Sequence, residues 1–484
     1  MPLLSVLPNH ILGPWLGLDR GSRAHDMLVH GVPVFFSILS VLLAFLCLRR
    51  LFGLQAAFWG SLLVAVSPYQ LHYAHEFRAY ATMLFFSLAG WYCLIRVLEK
   101  GRPLWWAGYV LATTANHYNH FFSVWHFLIF NGVLAIWVFR RRELLRPWII
   151  ASSVVFLLSL PPFYLAWRIS HIFESITNVY TVRPDYRQFF ITFKTFMAGY
   201  TGRVWLYWTM LLVTFPLFLL GLWSRRREPA MLLALLLFTV FPVVGNIIVW
   251  RMRSFPFYEH RLFIFPATVV CGVVALGVCA LPDRRVRAAV WALLLCLTLP
   301  CILDERNQNI HPTQTHLMGV RLKPDCRSVA QIINGAFQPG DRVLHASHFT
   351  FFPVKHYLLG KGIPQNNIYI RQGELDGFFG AFPNKILWDY LGATPIPLEE
   401  AVSGARRVWY VESWWDHRAL PEFILEKRHW LEARGAMVEE RRLVAVTVTL
   451  FDMSGMDGVD GVDGTAAPTP PSHSPAGLTA PQAP

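Results

Sequence analysis

Charged side chains are scarce in this 484-residue sequence. Asp, Glu, Lys and Arg together make up 15% of it, whereas 54% of the residues are hydrophobic and 15% are aromatic. A soluble globular domain is usually about one quarter charged. The shortage of charge therefore disfavours a large soluble protein and indicates a membrane protein.

Acidic residues are the scarcer of the two charged classes, with 30 Asp and Glu against 43 Lys and Arg and a net charge of +13. A basic surface is one signature of nucleic-acid binding. Here, however, the Arg clusters occupy short loops between apolar runs, where positive charge determines membrane topology. We therefore expect membrane lipids as the partner of this charge, and no nucleic acid.

Cysteine is also rare, because the sequence contains only 7 and all but Cys326 lie within apolar segments. An odd number without paired spacing disfavours a disulfide framework and a cysteine-based metal cluster. The cysteines are therefore predicted to be small core residues. Residues 1–18 lack the basic start of a signal peptide, and Pro8, His10 and Pro14 interrupt their apolar character.

Long apolar runs, in contrast, are abundant. A helix needs about 20 mostly apolar residues to cross a bilayer, and its backbone polar groups must be satisfied within the helix. The runs predict about ten transmembrane helices, of which the second and fourth are short. They lie at residues 30–48, 54–68, 79–98, 104–116, 120–139, 147–167, 203–223, 230–250, 262–281 and 287–303.

The loops between these runs alternate in charge. Clusters such as Arg49-Arg50, Arg140–Arg142 and Arg225–Arg227 alternate with longer loops that hold fewer Lys and Arg for their length. By the positive-inside rule, the Arg-rich loops of a protein in the cytoplasmic (inner) membrane face the cytoplasm. The other loops, and the chain from residue 304 onward, are then predicted to be extracytoplasmic.

Composition divides the chain into three predicted parts: a multi-pass transmembrane domain (1–303), an extracytoplasmic α/β domain (304–453) and a disordered low-complexity tail (454–484). Alternating helices and short strands predict the α/β fold of the second part. Its helices are predicted at residues 328–336 and 422–433, and its strands at 342–346, 407–412 and 443–451.

A short loop segment, RQFFITFKTFMAGY, has helical periodicity. Phe189, Phe193 and Phe196 stand at i, i+4 and i+7 and therefore share one apolar face. The segment is too short and too polar to cross a bilayer. We expect a helix that lies along the outer membrane surface or covers the end of the helical bundle.

Ionisable residues concentrate at one join between apolar runs, SPYQLHYAHEFRAYA (67–81). If the segment after its proline is helical, His72, Glu76 and Tyr80 share one face because they are spaced four residues apart. Arg78 then lies on another side, where an anionic group can reach it. Charged groups at a membrane boundary are costly unless they are paired or hydrated. This stretch is a candidate site, with ordinary interfacial residues as the alternative.

Two further turns on the predicted extracytoplasmic side hold similar chemistry. In ANHYNHFF, His117 and His120 are residues of a type that binds metals, but the segment offers no third ligand. The alternative is that both histidines belong to a hydrogen-bonded belt. Guanidinium groups suit phosphate, from a substrate or from a lipid headgroup. The segment RMRSFPFYEHR contains three arginines, Arg251, Arg253 and Arg261, together with Glu259.

The runs GVPVFFSILSVLLAFLCLRRLFG, SPYQLHYAHEFRAYA and HYNHFF, in this order, resemble the first half of the GT-C superfamily of multi-spanning glycosyltransferases that use lipid-linked sugars. The branch they resemble is glycosyltransferase family 39 and its bacterial relatives, the protein mannosyltransferases and aminoarabinose transferases. Many bacterial members carry Ser-Pro, a few residues, and then Gln-Glu-Ala-Arg-x-Tyr. Glu76, Arg78 and Tyr80 match this pattern, whereas His75 replaces the Gln and Phe77 the Ala.

A second family pattern, Tyr-Thr-His-Tyr-Phe, ends the next outward turn and is matched by Tyr118, His120 and Phe122. The likeness covers residues 30–300 in layout, and a trailing outer α/β domain also fits the family. The resemblance therefore implies an α-helical multi-pass membrane protein of the GT-C type with a C-terminal extracytoplasmic α/β domain.

The sequence departs from this family at its start. Members usually begin with another membrane helix and an outward loop whose Asp or Asp-Glu acts as a base or binds metal. Pro2-Leu3-Leu4 resembles the end of that loop. We expect either a start codon assigned downstream of the real one or a protein without its main acidic residue, because neither Asp19 nor Asp26 lies in the family context.

The resemblance implies transfer of a sugar from a polyprenyl-phosphate donor to a lipid, protein or glycan acceptor. A carboxylate must take the acceptor's proton, and cations must stabilise the departing phosphate. The implied catalytic residues are Glu76, Arg78 and Tyr80, and the implied substrate-binding residues are His75, His117, His120, Arg251, Arg253, Glu259 and Arg261. No cofactor is specified, although a divalent metal held by His75 and His120 would do similar work.

Two other function classes stay open. The chain could be a carrier or flippase for lipid-linked sugars, or a non-catalytic membrane scaffold that presents the α/β domain. Transporters tend to have internal repeats and helices interrupted near the membrane midplane. No repeat is evident in this sequence, and its charges lie at the ends of the apolar runs. Coding sequence upstream of Met1 for a helix and an acidic loop would favour the enzyme, whereas an immediate upstream stop codon would favour the scaffold.

Overall fold

The chain folds into a helical bundle followed by a smaller α/β unit. The computed structural model describes residue 16 and residues 23–173, 187–253, 260–310, 322–371, 373–374, 388–389, 392–413 and 420–455. The bundle helices are α1 (Arg23–Phe52), α2 (Leu54–Val66), α3 (Pro68–Ala74), α4 (Tyr80–Lys100), α5 (Pro103–Asn119), α6 (Val124–Val138), α7 (Leu145–Leu158), α8 (Leu160–Phe173), α9 (Arg187–Ala198), α10 (Val204–Ser224), α11 (Pro229–Thr239), α12 (Phe241–Arg253), α13 (Ile264–Ala280) and α14 (Arg284–Arg306).

The predicted number of membrane spans is too high. Within the described residues, six helices are long and apolar enough to cross a membrane, or up to eight if each of two bent pairs, α7 with α8 and α11 with α12, is one span. The two short predicted spans, 54–68 and 104–116, are not counted because the corresponding helices have only 13 residues (α2) and 17 residues (α5). At about 1.5 Å per residue, both helices are shorter than the roughly 30 Å hydrocarbon core.

Apolar side chains on the outside of the bundle are consistent with a lipid environment. On α1, Phe35, Ile38 and Leu42 are more than half exposed, and their spacing places them along one stripe of the helix. Helix α13, in contrast, is buried on all sides from Ile264 to Val278. A helix that is hydrophobic all round belongs in the centre of a bundle.

Close packing of α10 on α13 depends on glycine. A Cβ atom on Gly277 would lie 1.9 Å from the carbonyl oxygen of Leu217, and one on Gly221 would lie 2.1 Å from that of Val273. Small residues at helix contacts allow two backbones to approach in this way, which is typical of membrane bundles.

The Arg-rich loops meet at one end of the bundle. Glu99 at the end of α4 lies 2.6 Å from Arg96 and 3.7 Å from Arg50 of α1. Arg141 donates a hydrogen bond to the Leu98 carbonyl at 2.5 Å, and Arg225 donates one to the Leu51 carbonyl at 3.4 Å. The loops that the sequence assigns to one side of the membrane are therefore neighbours in space.

The α/β unit contains the helices α15 (Cys326–Ala336), α16 (His348–Tyr357), α17 (Leu398–Val402) and α18 (Glu422–Glu432) and the strands β1 (Arg342–His345), β2 (Gln365–Tyr369), β3 (Ile396–Pro397), β4 (Arg407–Glu412), β5 (Ala436–Leu443) and β6 (Val446–Asp452). The strand order is β3-β2-β1-β4-β6-β5. Strands β1 to β4 are parallel, and the β5–β6 hairpin pairs antiparallel with β4.

Each of the five elements predicted from the sequence of this region is confirmed to within three residues at either end. Apolar side chains from both sides cover the sheet, with α15 and α16 on one face and α18 on the other. Strand β5, at the sheet edge, is mostly exposed.

A buried carboxylate fixes the end of β4 to the loop before β1. Asp341 accepts hydrogen bonds from Arg407 at 2.7 and 2.9 Å, from the Trp409 indole at 3.0 Å and from the Gln338 amide at 2.9 Å. Burial alone would raise the pKa of Asp341, but these bonds outweigh it and lower the pKa below its usual value.

Candidate active site

Helix α3 is anchored to the centre of the bundle at the end opposite the Arg-rich loops. Ser67 caps it, accepting from the Gln70 amide at 3.3 Å, and donates to the Phe196 carbonyl at 3.3 Å. The Gln70 side chain donates to Thr268 of α13 at 2.9 Å, and Tyr69 donates to the His260 carbonyl. These bonds hold the candidate stretch against α9 and α13.

Helix α9 covers this end of the bundle, which was one of the two positions expected for it. Phe193 and Phe196 are buried, whereas Phe190 is 44% exposed. Gly199 follows the helix with a φ of 63°, and a Cβ atom there would lie 2.8 Å from Pro68. Only glycine meets both requirements without strain, so α9 can turn directly over α3.

The continuous helical face predicted for His72, Glu76 and Tyr80 is wrong in part. Helix α3 ends at Ala74, a turn follows, and a new helix begins at Tyr80. Inside the turn, the amide of Arg78 donates to the Glu76 carbonyl at 2.7 Å. The helix is interrupted at this contact. Of the two predicted neighbouring pairs, the structure therefore keeps only His72 and Glu76 in direct contact.

His72 lies between two carboxylates. Its Nε2 is 3.6 Å from Oε1 of Glu76, and its Nδ1 is 2.5 Å from Oε1 of Glu305. The His72 side chain is 3% exposed, and those of Glu76 and Glu305 are 21% and 16% exposed. Glu305 was not predicted from the sequence, although the residues LDER (303–306) end the last apolar run with two carboxylates.

A pair of buried tyrosines supports this cluster from behind. The hydroxyls of Tyr73 and Tyr200 are 2.5 Å apart, and both rings pack edge-on against the His72 ring at about 5 Å between centroids. Burial, with the neighbouring phenols and Glu76, raises the pKa of Tyr73 and of Tyr200 well above the usual value. Both hydroxyls therefore remain protonated and share one hydrogen bond.

Tyr80 joins the His72 cluster to the other two predicted turns. Its ring centroid lies 5.1 Å from that of Tyr73 and 6.0 Å from that of His120. The guanidinium of Arg261 lies 5.8 Å from the Tyr80 ring centroid, in cation–π range. The structure thus brings Glu76, Tyr80, His120 and Arg261 into one contiguous region at the same end of the bundle.

Arg78 and His75 lie at the exposed rim of this region. The Nδ1 atom of His75 is 2.7 Å from the Leu71 carbonyl, and its own carbonyl is 2.9 Å from Nδ1 of His30 in α1. Among the residues with described coordinates, neither His75 nor His120 belongs to a group of three close metal-ligand side chains.

The structure places His117 apart from the others. It is buried, its Nδ1 is 2.6 Å from the Ser159 hydroxyl, and its ring packs against Phe127 and Phe163. Arg251 is exposed near the end of α12. Glu259 and the side chain of Arg253 lie outside the described part of the chain.

A cavity opens beside the His72 cluster. Its volume is about 390 Å³, within the range of small-molecule sites. Its polar lining comes from His72, His75, Glu305, Arg306 and Lys323. The lining therefore combines one carboxylate, two imidazoles and two cations, which suits a polar ligand that carries negative charge.

Comparison with known proteins supports the family resemblance. Residues 25–167 match the family described as Dolichyl-phosphate-mannose-protein mannosyltransferase, and this range includes the whole 67–81 stretch. The match covers less than half of the chain. No curated protein matches the sequence.

Solved structures match over most of the chain. ArnT from Cupriavidus metallidurans in the apo state has a TM-score of 0.56 and 13% identity over 93% of this chain and 87% of that one. ArnT from Cupriavidus metallidurans bound to undecaprenyl phosphate has a TM-score of 0.57 and 12% identity over the same shares. The apo oligosaccharyltransferase of Archaeoglobus fulgidus has a TM-score of 0.46 and 11% identity over 84% and 61%. The ArnT likeness confirms the predicted GT-C fold.

Proposed function

We propose that this chain, a membrane protein with the GT-C fold, transfers a sugar from a polyprenyl-phosphate-linked donor to an acceptor at the extracytoplasmic end of the bundle. The observation that carries the proposal is the convergence of Glu76, His72, Tyr80 and Arg261 at one end of the bundle. The first three of these residues lie inside the matched segment, residues 25–167. The undecaprenyl phosphate of the similar ArnT structure supports a lipid-linked donor.

The orientation in the membrane follows from charge. The Arg-rich loops cluster at the end of the bundle that holds Arg50, Glu99 and Arg225. The positive-inside rule assigns that end to the cytoplasm. The candidate site and the α/β domain are then extracytoplasmic, at the edge of the bilayer where a polyprenyl phosphate presents its sugar.

Glu76 is the proposed general base. The acceptor's hydroxyl or amine attacks the anomeric carbon, its proton passes to the carboxylate, and the bond between that carbon and the lipid phosphate oxygen breaks. The neighbouring His72 orients Glu76 from a distance of 3.6 Å. Tyr80 lies between the cluster that holds this carboxylate and the guanidinium of Arg261.

Arginines are the proposed partners of the departing phosphate. Negative charge grows on the phosphate oxygen as the glycosidic bond breaks, so fixed positive charge stabilises the transition state more than the ground state. Arg78 at the rim and Arg261 beside Tyr80 have this role, and Arg251, Arg253 and Glu259 are proposed for donor binding from the sequence pattern alone. His75 and His120 bind the sugar, and His117 contributes only to the packing behind them.

The first experiment removes charge from the proposed site. Glu76→Gln and Arg78→Ala should each lower transfer of labelled sugar from extracted lipid carriers by about 10²- to 10⁴-fold. Matched controls at the cytoplasmic end, Glu99→Gln and Arg102→Ala, should leave transfer near wild type. Membrane insertion and protein abundance should be unchanged in all four variants.

The outcomes separate the alternatives. If both site variants transfer sugar like the wild type, these residues are not part of the mechanism. If the wild-type chain transfers no sugar but moves labelled lipid-linked sugar across vesicle membranes, it is a transporter. If it does neither, the scaffold role is favoured.

A further inference from the structure

Two histidines and an aspartate meet where the first membrane helix touches the α/β domain. His25 and Asp26 stand in the first turn of α1, and His356 stands in the last turn of α16. One nitrogen from each histidine and one Asp26 oxygen all lie within 4.8 Å of one another. The two imidazole centroids are 5.7 Å apart, and His356 Nε2 is 3.5 Å from Asp26 Oδ1.

We propose that His25, Asp26 and His356 bind a zinc ion that links the membrane bundle to the α/β domain. Two imidazole nitrogens and one carboxylate oxygen are a donor set that zinc accepts, with water in the fourth position. Ligand atoms about 2.0–2.2 Å from a tetrahedral ion lie roughly 3.5 Å apart. The His356–Asp26 pair already has this separation. The other ligand atoms, all within 4.8 Å of one another, would reach it by rotation of the side chains.

The surroundings of Asp26 fit a metal-ligand carboxylate. Asp26 is 8% exposed, and one of its oxygens pairs with the guanidinium of Arg327 while the other faces His356. Ligand carboxylates are commonly held by such an outer hydrogen-bond partner, which fixes their orientation. Arg327 is itself held over the Tyr357 ring at 5.3 Å.

The position of the group suggests what the ion would do. Helix α1 also reaches the candidate active site, because His30 contacts the backbone of His75 one residue before Glu76. His30 lies four residues after Asp26 and therefore one turn along the same side of α1. An ion that ties the start of α1 to α16 would hold the α/β domain over the end of the bundle that carries Glu76.

The test uses the purified full-length chain in detergent, stripped with a chelator and titrated with zinc chloride. We expect one high-affinity zinc per chain by elemental analysis and a rise in the unfolding temperature with zinc. His25→Ala and His356→Ala should each weaken binding by more than about 100-fold, since loss of an outer-shell partner already costs about 10- to 100-fold. His429→Ala, which removes an exposed histidine elsewhere in the same domain, should not change it.

The variant His356→Cys guards against misfolding as an explanation. A thiolate is also a zinc ligand, so this variant should retain binding that His356→Ala loses. Absence of bound zinc in the wild type would overturn the proposal, as would unchanged affinity in His25→Ala and His356→Ala. Because zinc binding is measured rather than sugar transfer, the result is independent of the proposed glycosyltransferase activity.

Discussion

Glu305 gives the sharpest test of the site, because only the folded chain brings it to His72. The contact between His72 Nδ1 and Glu305 Oε1 is 2.5 Å long, and His72 is almost fully buried. A hydrogen bond to a charged group contributes about 1.5–3 kcal/mol, whereas one between neutral groups contributes about 0.5–1.5 kcal/mol. Glu305→Gln should therefore lose part of the interaction and Glu305→Ala all of it.

The expected effect on catalysis follows from the position of His72 between Glu305 and Glu76. If Glu305 fixes the ring that orients Glu76, the variant loses about 1.5–3 kcal/mol of interaction energy that positions Glu76, which corresponds to roughly 10- to 150-fold in rate. Glu305→Ala should lower kcat by that factor, with a smaller change in KM because the donor is still bound. Glu305→Gln should lose less than about tenfold.

The assay is transfer of labelled sugar from extracted lipid carriers, measured over a range of donor concentrations in membranes with equal amounts of protein. Glu99→Ala is the matched control, since Glu99 also pairs with neighbouring side chains but lies at the opposite end of the bundle. If Glu305→Ala stays within twofold of Glu99→Ala while Glu76→Gln is inactive, His72 does not act through Glu305, and the positioning argument fails.

Three further predictions concern stability. Tyr73→Phe should lower the unfolding temperature because it leaves the buried Tyr200 hydroxyl without its 2.5 Å partner, which costs about 1–3 kcal/mol of stability. The double variant with Tyr200→Phe should lose less stability than the sum of the losses in the two single variants. Gly277→Ala should destabilise the bundle by at least about 1–3 kcal/mol because its Cβ overlaps a backbone carbonyl, whereas Gly31→Ala, with open space around it, should not. The pKa of Asp341 is lowered in the folded state, so its carboxylate stabilises the fold at pH values above its unfolded pKa, and this stability is lost as the pH falls through the folded pKa. Asp341→Asn should therefore lower the unfolding temperature at neutral pH, and should lower it by less under acid conditions.

Each of these is read from thermal unfolding of the detergent-purified chain. Strict additivity in the Tyr73 and Tyr200 pair would show that the hydroxyls are not coupled. Equal stability of Gly277→Ala and Gly31→Ala would contradict the close approach of α10 and α13. A difference between Asp341→Asn and wild type that stays constant from neutral to acid pH would contradict the lowered pKa.

The sequence predicted the class of fold and most local structure because those signals are local. Apolar runs, Arg clusters and the strand pattern of residues 407–412 depend only on neighbouring residues. The number of spans was overestimated because the second and fourth runs, already short in the sequence, were counted as spans although they form helices of only 13 and 17 residues, α2 and α5. Strands β2, β3 and β5 were missed because their side chains are largely polar or half-exposed.

The candidate site was predictable only in part. The spacing of four residues placed Glu76 beside His72, the resemblance drew attention to His120, and the arginine-rich loop drew attention to Arg261. The break at Ala74 could not be predicted, because the turn that follows it contacts residues distant in sequence: the His75 carbonyl contacts His30 of α1, and the Ala79 carbonyl accepts a hydrogen bond from Asn119 of α5. The pairs His72–Glu305 and Asp26–His356 could not be predicted for the same reason, because the two residues of each pair are far apart in the sequence.

The edge strand β5 has a consequence for how this protein coexists with its neighbours. Within the described residues no strand pairs with its outer side, and the sequence there, Glu439-Glu440-Arg441-Arg442, carries four charges in a row that pair with one another and with Arg428. A second chain that tried to add a strand would have to break those pairs and strip water from them. The charged edge therefore disfavours extension of the sheet at β5 by a strand from a second chain.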